Sequence, residues 1–263
     1  MLLRQLAVVA LIIGIVGCSK QVLLQKFASP EEQAVAKDDF NLLRQQQYDA
    51  IEKMMDPSIS GPSVHQTLVA MAASIPDGNP TSVTLVAAQR IKSADYSTVN
   101  LTFEYQFPAK WLLTNVALKK RDSSTTIVGF HVYPRSASLQ EQNKFTLGHK
   151  APFQHLILAL AIAVPLFILC TLVVCIKTKL RGKKWPWILF IIFGVGKVAV
   201  NWTTGQWSFG LISIQLFGAS GVARPYGPWI FAVSFPIGAV IFLIGKGKLS
   251  VAESQSQPDA TQI

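Results

Sequence analysis

Apolar and polar positions follow two different patterns along the chain, and the change between them falls near residue 150. Residues 29–135 mix the two kinds at regular spacings, which is typical of a folded soluble domain. Residues 155–176, 185–202 and 226–244 are apolar runs with almost no charge. Runs of this length predict membrane-spanning helices. We therefore expect an α+β domain, exported on the evidence of the N-terminus given below, followed by an α-helical membrane domain of three transmembrane helices.

The first part of the mixed region has the period of a helix. Ser29, Pro30 and Glu32 form a helix start with a capping box. Two further helices are predicted, one around Ile51 and one over Ser63–Ile75, because apolar residues recur there at steps of three and four.

From residue 83 the period changes to two. Val99, Leu101 and Phe103 alternate with polar residues, which indicates a strand with one buried face. Neighbouring strands are predicted over residues 83–91, 111–119 and 126–133. The predicted fold is three helices followed by a four-stranded antiparallel meander, with the helices on one face of the sheet.

This order of elements over residues 29–135 resembles the NTF2-like (cystatin-related) α+β cone. The resemblance implies a concave sheet that holds a ligand, dimerises or binds a protein. Enzymes of that family use an Asp and a His inside the cone, and the corresponding residue types here are His131, Asp49 and Asp56. No motif of the family matches, so no catalytic residue is predicted. His65 is expected to be solvated.

The N-terminus has the features of an export signal. Arg4 precedes an eleven-residue apolar run, Leu6–Val16, which spans about 16 Å as a helix and is too short to cross a bilayer. The sequence "IVGC" at 15–18 resembles the bacterial lipobox, and that resemblance implies cleavage before Cys18 and lipid attachment to it. The alternative is an uncleaved signal anchor. Either reading exports the α+β domain.

The predicted domains follow from these boundaries. They are a signal peptide at 1–17, a lipid-anchored tether at 18–28, an exported α+β domain at 29–150, a transmembrane domain at 151–248 and a disordered cytoplasmic tail at 249–263. Residues 208–223 are apolar but short, and we expect an interfacial or re-entrant helix there.

The charge is distributed unevenly. Residues 19–150 hold 14 basic and 12 acidic residues, whereas residues 151–263 hold nine basic and two acidic ones. A nearly neutral polar domain argues against nucleic-acid binding. The basic residues that set the predicted topology are Lys177, Lys179, Arg181, Lys183 and Lys184. By the positive-inside rule, that cluster lies in the cytoplasm and residues 19–150 lie on the periplasmic side, with the C-terminus inside.

Candidate chemistry is sparse. Lys197, Asn201 and Gln206 are predicted to face a polar site in the membrane. The three cysteines have no zinc-site spacing, so no metal and no cofactor is expected. Glycines in the apolar runs, such as Gly194 and Gly218, predict close helix contacts and self-association.

The architecture resembles uncharacterised bacterial membrane lipoproteins. We expect a non-enzymatic envelope lipoprotein of the inner membrane that contacts membrane lipids and whose exported domain binds an envelope protein or a small ligand. Two alternatives stay open. The first is a component of a small-molecule or lipid transport system, with a cavity at Lys197. The second is an NTF2-like enzyme, which requires His131 to face a cavity that also holds a carboxylate.

Overall fold

The computed structural model describes residues 20–122, 124–180 and 182–249. The chain forms two compact units, Met1–Gln142 and Asn143–Ile263, called unit 1 and unit 2 below. The predicted signal peptide, Cys18, Arg181 and the tail from residue 250 lie outside the described residues.

Helices come first in unit 1. They are α1 (Lys20–Gln25), α2 (Pro30–Arg44), α3 (Tyr48–Met54) and α4 (Val64–Ala72), and the short α5 (Leu139–Gln142) ends the unit. Helix α2 begins as the sequence predicts. The Ser29 hydroxyl accepts from the Glu32 amide at 3.2 Å, and the Glu32 carboxylate accepts from the Ser29 amide at 2.8 Å, so two donors at the helix start are satisfied.

The strands of unit 1 form one antiparallel sheet in the order β1-β2-β3-β4. They are β1 (Ser82–Lys92), β2 (Ser97–Gln106), β3 (Trp111–Arg121) and β4 (Ser124–Arg135). Alternate residues of β2, including Leu101 and Phe103, are buried on one face. Helix α2 covers that face, and the rings of Phe40 and Tyr105 lie 4.1 Å apart. Each such buried side chain contributes about 1.5–3 kcal/mol relative to exposure.

The predicted fold class is wrong in two respects. Among the described residues, four helical segments, rather than three, precede the strands of unit 1. The chain also contains a second four-stranded sheet where two of the three transmembrane helices were expected.

Unit 2 combines helices with that second sheet. Its elements are α6 (Pro152–Lys177), α7 (Trp185–Ile192), β5 (Phe193–Asn201), β6 (Trp207–Leu216), β7 (Ala219–Ala223), β8 (Trp229–Phe235) and α8 (Ile237–Leu249). The strands are antiparallel, in the order β6-β5-β8-β7. Helix α6 packs against β5, β7 and β8 and against the two shorter helices.

The predicted spans at 185–202 and 226–244 are therefore corrected. Helix α7 ends at Ile192 and the chain continues as β5, whereas the second run starts as β8 and becomes α8. The predicted interfacial helix at 208–223 is β6 and β7. Uniformly apolar runs carry no period that separates helix from strand. Gly196 has a φ of +72° at the irregular part of β5, a conformation that ends a helix and that glycine adopts readily.

Among the described residues, one helix is long and apolar enough to cross a membrane. Helix α6 has 26 residues and a mean hydropathy of 3.0 in its most apolar window, and its length is about 39 Å. Helix α8 has 13 residues and spans only about 20 Å, less than the hydrocarbon thickness of about 30 Å. The prediction of a membrane helix holds for α6 by length and composition.

Two apolar clusters hold unit 2 together. In one, Ile168 and Cys175 of α6 meet Ile191 of α7 and Phe242 of α8. In the other, Ile157 of α6 packs on the sheet. Close contacts complete the packing: a side chain at Gly238 of α8 would collide with the Phe190 carbonyl of α7. The glycines predicted to mediate helix contacts, Gly194, Gly196, Gly218 and Gly221, lie on strands or in a turn.

Candidate functional sites

A polar face of the first sheet lies opposite the face covered by α2. It carries Asn100, Thr102, Asn115, His131 and Tyr133, and we call it the polar sheet face. The Asn115 amide donates to Asn100 and, at 2.9 Å, to the Thr102 hydroxyl. His131 is paired in register with Asn115, is exposed, and stacks on Tyr133 at 5.9 Å. A histidine placed in this way does not face the enclosed cavity that the enzyme alternative requires.

Asp56 is the most highly connected carboxylate of unit 1. One oxygen accepts from the Ser58 amide and hydroxyl at 3.0 and 2.7 Å, and the other accepts from Lys119 Nζ at 3.0 Å and Thr126 Oγ1 at 3.2 Å. The hydrogen bonds from Ser58 and then from Lys119 hold the pKa of Asp56 well below its usual range. Asp56 is therefore ionised, and its hydrogen bonds give it a structural role rather than that of a proton acceptor.

Asp39 is a buried acid on the core side of α2. Its side chain is 1% exposed, and its Oδ2 has no hydrogen-bond partner among the described residues. Burial, followed by the charge of Asp38, raises the pKa of Asp39 to about 7. Sequence reasoning missed this residue, because an Asp beside Asp38 reads as part of a solvated face.

Asp49, Glu52 and His65 come together at the surface of unit 1. Their candidate ligand atoms lie within 4.8 Å of one another, and oxygen and imidazole ligands of this kind suit a divalent transition metal. His65 Nδ1 already lies 2.8 Å from the Glu52 carboxylate, and the side chains are 55% and 35% exposed. His65 and Glu52 are thus already paired at an exposed surface without an ion, and we assign no metal site here.

The structure places the three residues predicted to form a membrane polar site at two different positions of the second sheet. The Asn201 side chain accepts from the amides of Thr203 and Thr204 at 2.9 and 3.1 Å, and the Asn201 amide donates to the Gln206 carbonyl at 2.8 Å. Asn201 and Gln206 therefore close the turn between β5 and β6. Lys197 lies four residues earlier on β5, about 13 Å away along the strand.

Lys197 instead lies at an apolar groove between α6 and the second sheet, which we call the Lys197 groove. Its volume is about 420 Å³, within the range of small-molecule sites. Its apolar walls include Ile157, Leu160, Val164, Val198, Phe209 and Phe235. Lys197 is the one charged residue among the described residues of the lining. The transport alternative placed a polar cavity at Lys197, but the sequence did not predict apolar walls, since these depend on β5 and β8 being strands.

Basic residues cluster where α6 ends and α7 begins. Lys177 is the last residue of α6, and Lys179, Lys183 and Lys184 lie in or beside the connection to α7. The Lys184 ammonium donates to the Ile176 carbonyl at 2.6 Å, as expected of a cation at a helix C-terminus. Leu249, the last residue of α8, packs in the same cluster as Leu180, so α8 ends at this side too.

No protein-family model matches the chain, and comparisons with curated proteins and with solved structures found no match either. The resemblance of unit 1 to NTF2-like domains is therefore still a prediction from the sequence. The same holds for the resemblance of residues 15–18 to the bacterial lipobox.

Proposed function

We propose that the protein is a non-enzymatic, membrane-anchored protein in which α6 crosses the bilayer and unit 1 binds a partner on the extracytoplasmic side. The exposure of α6 carries this proposal. Only 17% of its most apolar window is buried within the protein, and Leu156, Ile162 and Leu166 are 53%, 59% and 56% exposed. Apolar surface of this extent marks contact with lipid or protein, and a continuous apolar helix of this length suits lipid.

The charges that flank α6 support its orientation. Lys177, Lys179, Lys183 and Lys184 follow the helix, and Arg181 adds a fifth basic residue by sequence. The N-terminal flank carries Lys144 and Lys150. Because the more basic flank stays in the cytoplasm, unit 1 lies outside it. The predicted export signal favours the same side, and a lipid on Cys18 would add a second anchor.

Unit 1 is suited to binding rather than to catalysis. Its most highly connected carboxylate, Asp56, is engaged by four donors, and His131 is exposed. The polar sheet face presents side-chain amides beside Tyr133, which is 48% exposed, and tyrosine is enriched at protein interfaces. We propose this face as the surface that meets an envelope protein.

Cysteine labelling in intact spheroplasts tests the anchoring. In a chain without its native cysteines, Asp77→Cys places a thiol on an exposed turn of unit 1, and Lys183→Cys places one beside the basic cluster. A membrane-impermeant maleimide is expected to label position 77 in intact cells and position 183 only after lysis. Equal labelling of both positions in intact cells, or labelling in the reverse order, would refute the orientation.

Photocrosslinking tests the binding surface. A photoreactive amino acid at Tyr133, on the polar sheet face, is compared with one at Val69, which is 41% exposed on α4. We expect a discrete adduct from position 133 that is absent from position 69. Identical adducts from both positions, or none from position 133, would contradict the assignment of this face.

A further inference from the structure

Exposed lysines from two separate stretches of the sequence meet at one end of unit 2. Lys177 ends α6, and Lys179 and Lys183 lie in the connection to α7. Lys246 is exposed on α8, about 4.5 Å along the helix axis from Leu249, which packs in the same apolar cluster as the end of α6 and the start of α7. We call these four lysines the basic patch.

The charge of the basic patch is not offset by nearby acids. The sequence from residue 142 to residue 252 contains no Asp and no Glu, so this part of the chain brings no carboxylate to the end of α6. Lys184 is set apart from the patch, because it is half-buried and donates to the Ile176 carbonyl at 2.6 Å. Positive charges gathered in this way create a potential that attracts anions.

Exposed apolar side chains directly adjoin the basic patch. Trp185, the first residue of α7, is 60% exposed, and Leu189, one turn later, is 47% exposed. Ile176, beside Lys177 on α6, is 57% exposed. A dissolved anion or a nucleic acid would leave this apolar surface in water. A lipid surface of negative charge covers it with hydrocarbon while its phosphates face the lysines, and tryptophan is enriched at that interface.

We propose that the basic patch binds the headgroups of anionic phospholipids in the leaflet that surrounds the C-terminal end of α6. This step rests on the membrane anchoring proposed above. Helix α6 is about 39 Å long, which exceeds the hydrocarbon thickness of about 30 Å, so Lys177 at its end reaches the level of the headgroups. The patch therefore selects anionic over zwitterionic phospholipid, and the selection is confined to this end of α6.

The headgroup selectivity of the full chain in vesicles tests this proposal. The vesicles contain phosphatidylglycerol and phosphatidylcholine, and only one of the two carries brominated acyl chains at a time. In a chain without its native cysteines, a bimane fluorophore on Leu189→Cys reports lipid contact beside the patch. A second reporter, on Leu156→Cys, lies near the start of α6, where Leu156 is 53% exposed.

Two sets of four substitutions remove the same amount of charge from different places. The first set removes the basic patch: Lys177→Gln, Lys179→Gln, Lys183→Gln and Lys246→Gln. The matched control removes four exposed lysines of unit 1: Lys53→Gln, Lys92→Gln, Lys110→Gln and Lys120→Gln. Sodium chloride at 1 M, which shortens the screening length to about 3 Å, weakens the patch without any substitution and so does not depend on how the variants fold.

We expect the reporter at Leu189 to show a relative association constant about threefold or more in favour of phosphatidylglycerol, and the reporter at Leu156 to show a smaller preference. Loss of the patch, or 1 M salt, should bring the ratio at Leu189 close to one, whereas the control set should preserve it. A ratio near one in the unsubstituted patch, equal preferences at the two reporters, or equal losses in both sets would overturn the proposal.

The same measurement separates this proposal from the anchoring on which it rests. If brominated lipids quench both reporters without regard to headgroup, α6 contacts lipid and only the assignment of the basic patch fails. If neither brominated lipid quenches either reporter, α6 does not lie in the bilayer, and the anchoring and the patch fail together.

Discussion

The ammonium of Lys119 on β3 donates to the carboxylate of Asp56 at 3.0 Å. Asp56 lies just after α3, and its own amide donates to the Ile127 carbonyl of β4 at 2.8 Å. Asp56 therefore links the end of α3 to β3 and β4 of the first sheet. Because a single side chain joins three elements, its loss is expected to loosen their packing together.

Replacement of Asp56 tests this link between α3, β3 and β4. Asp56→Asn is expected to lower the unfolding temperature of unit 1 by a few degrees, on the order of 5 °C, at pH 7. Folding lowers the pKa of Asp56, so its contribution is present above the unfolded value of about 4 and is lost as the pH falls through the folded value. The difference between wild type and variant should therefore shrink in acid. Asp77→Asn, on an exposed turn, is the control for loss of one charge.

Asp39 has the opposite pH dependence. Burial raises its pKa to about 7, so folding favours the protonated form, and stability is greatest below the unfolded pKa of about 4. Unit 1 should lose stability as the pH rises from about 4 to 7. Asp39→Asn removes this slope and should raise the free energy of unfolding near pH 8 by about 1–3 kcal/mol.

Hydrogen exchange in the full chain measures this effect. Peptides from β2 and β3, which α2 covers, should exchange more slowly at pH 5 than at pH 8 once the intrinsic rates are corrected. Asp38→Asn removes the neighbouring charge and should reduce the slope only in part. A wild-type slope that persists unchanged in Asp39→Asn would show that another group is responsible.

The fold of unit 1 was more readable from sequence than that of unit 2, for a physical reason. The alternation around Leu101 and the capping residues Ser29 and Glu32 are local signals, and β2 and α2 form where those signals lie. Residues 185–202 are apolar except for Lys197 and Asn201 and show no clear period, so the same run fits a buried helix or a buried strand. Pairing with β6, across the turn at residues 202–206, and with β8, which is distant in the sequence, makes its second half a strand.

The candidate sites illustrate the same limit. Lys197 stands out in the sequence as a charge in an apolar run, but its predicted partners Asn201 and Gln206 are turn residues. The strand β8, which pairs with β5 on either side of Lys197, starts at Trp229 and carries no signal of its own in the sequence. Asp39 was missed because two adjacent acids on a helix, Asp38 and Asp39, suggest a solvent-exposed face. The sequence does not show that one of the two is buried.

The contact between α7 and α8 gives a test of the fold of unit 2. Gly238 has no room for a side chain, since a Cβ there would collide with the Phe190 carbonyl, whereas a Cβ at Gly245 would meet only Leu249 at 3.6 Å. Gly238→Ala should lower the unfolding temperature in detergent. Gly245→Ala, in the same helix, should leave it unchanged or raise it, because alanine favours a helix by about 0.5–1 kcal/mol. Equal effects of the two changes would contradict this packing.

A charge on the exposed side of α6 separates a membrane helix from a solvent-exposed one. Ile162 is 59% exposed near the middle of α6, and Leu147 is 58% exposed ahead of the helix. If α6 crosses the bilayer, Ile162→Lys places a cation in hydrocarbon at a cost of about 2.5–3.5 kcal/mol on the insertion scale. The fraction of the chain that resists alkaline carbonate extraction should then fall, whereas Leu147→Lys should leave it unchanged. If water surrounds α6, both substitutions exchange an exposed apolar side chain for an exposed charge, and neither should reduce the folded yield; that result would refute the anchoring on which the proposed function depends.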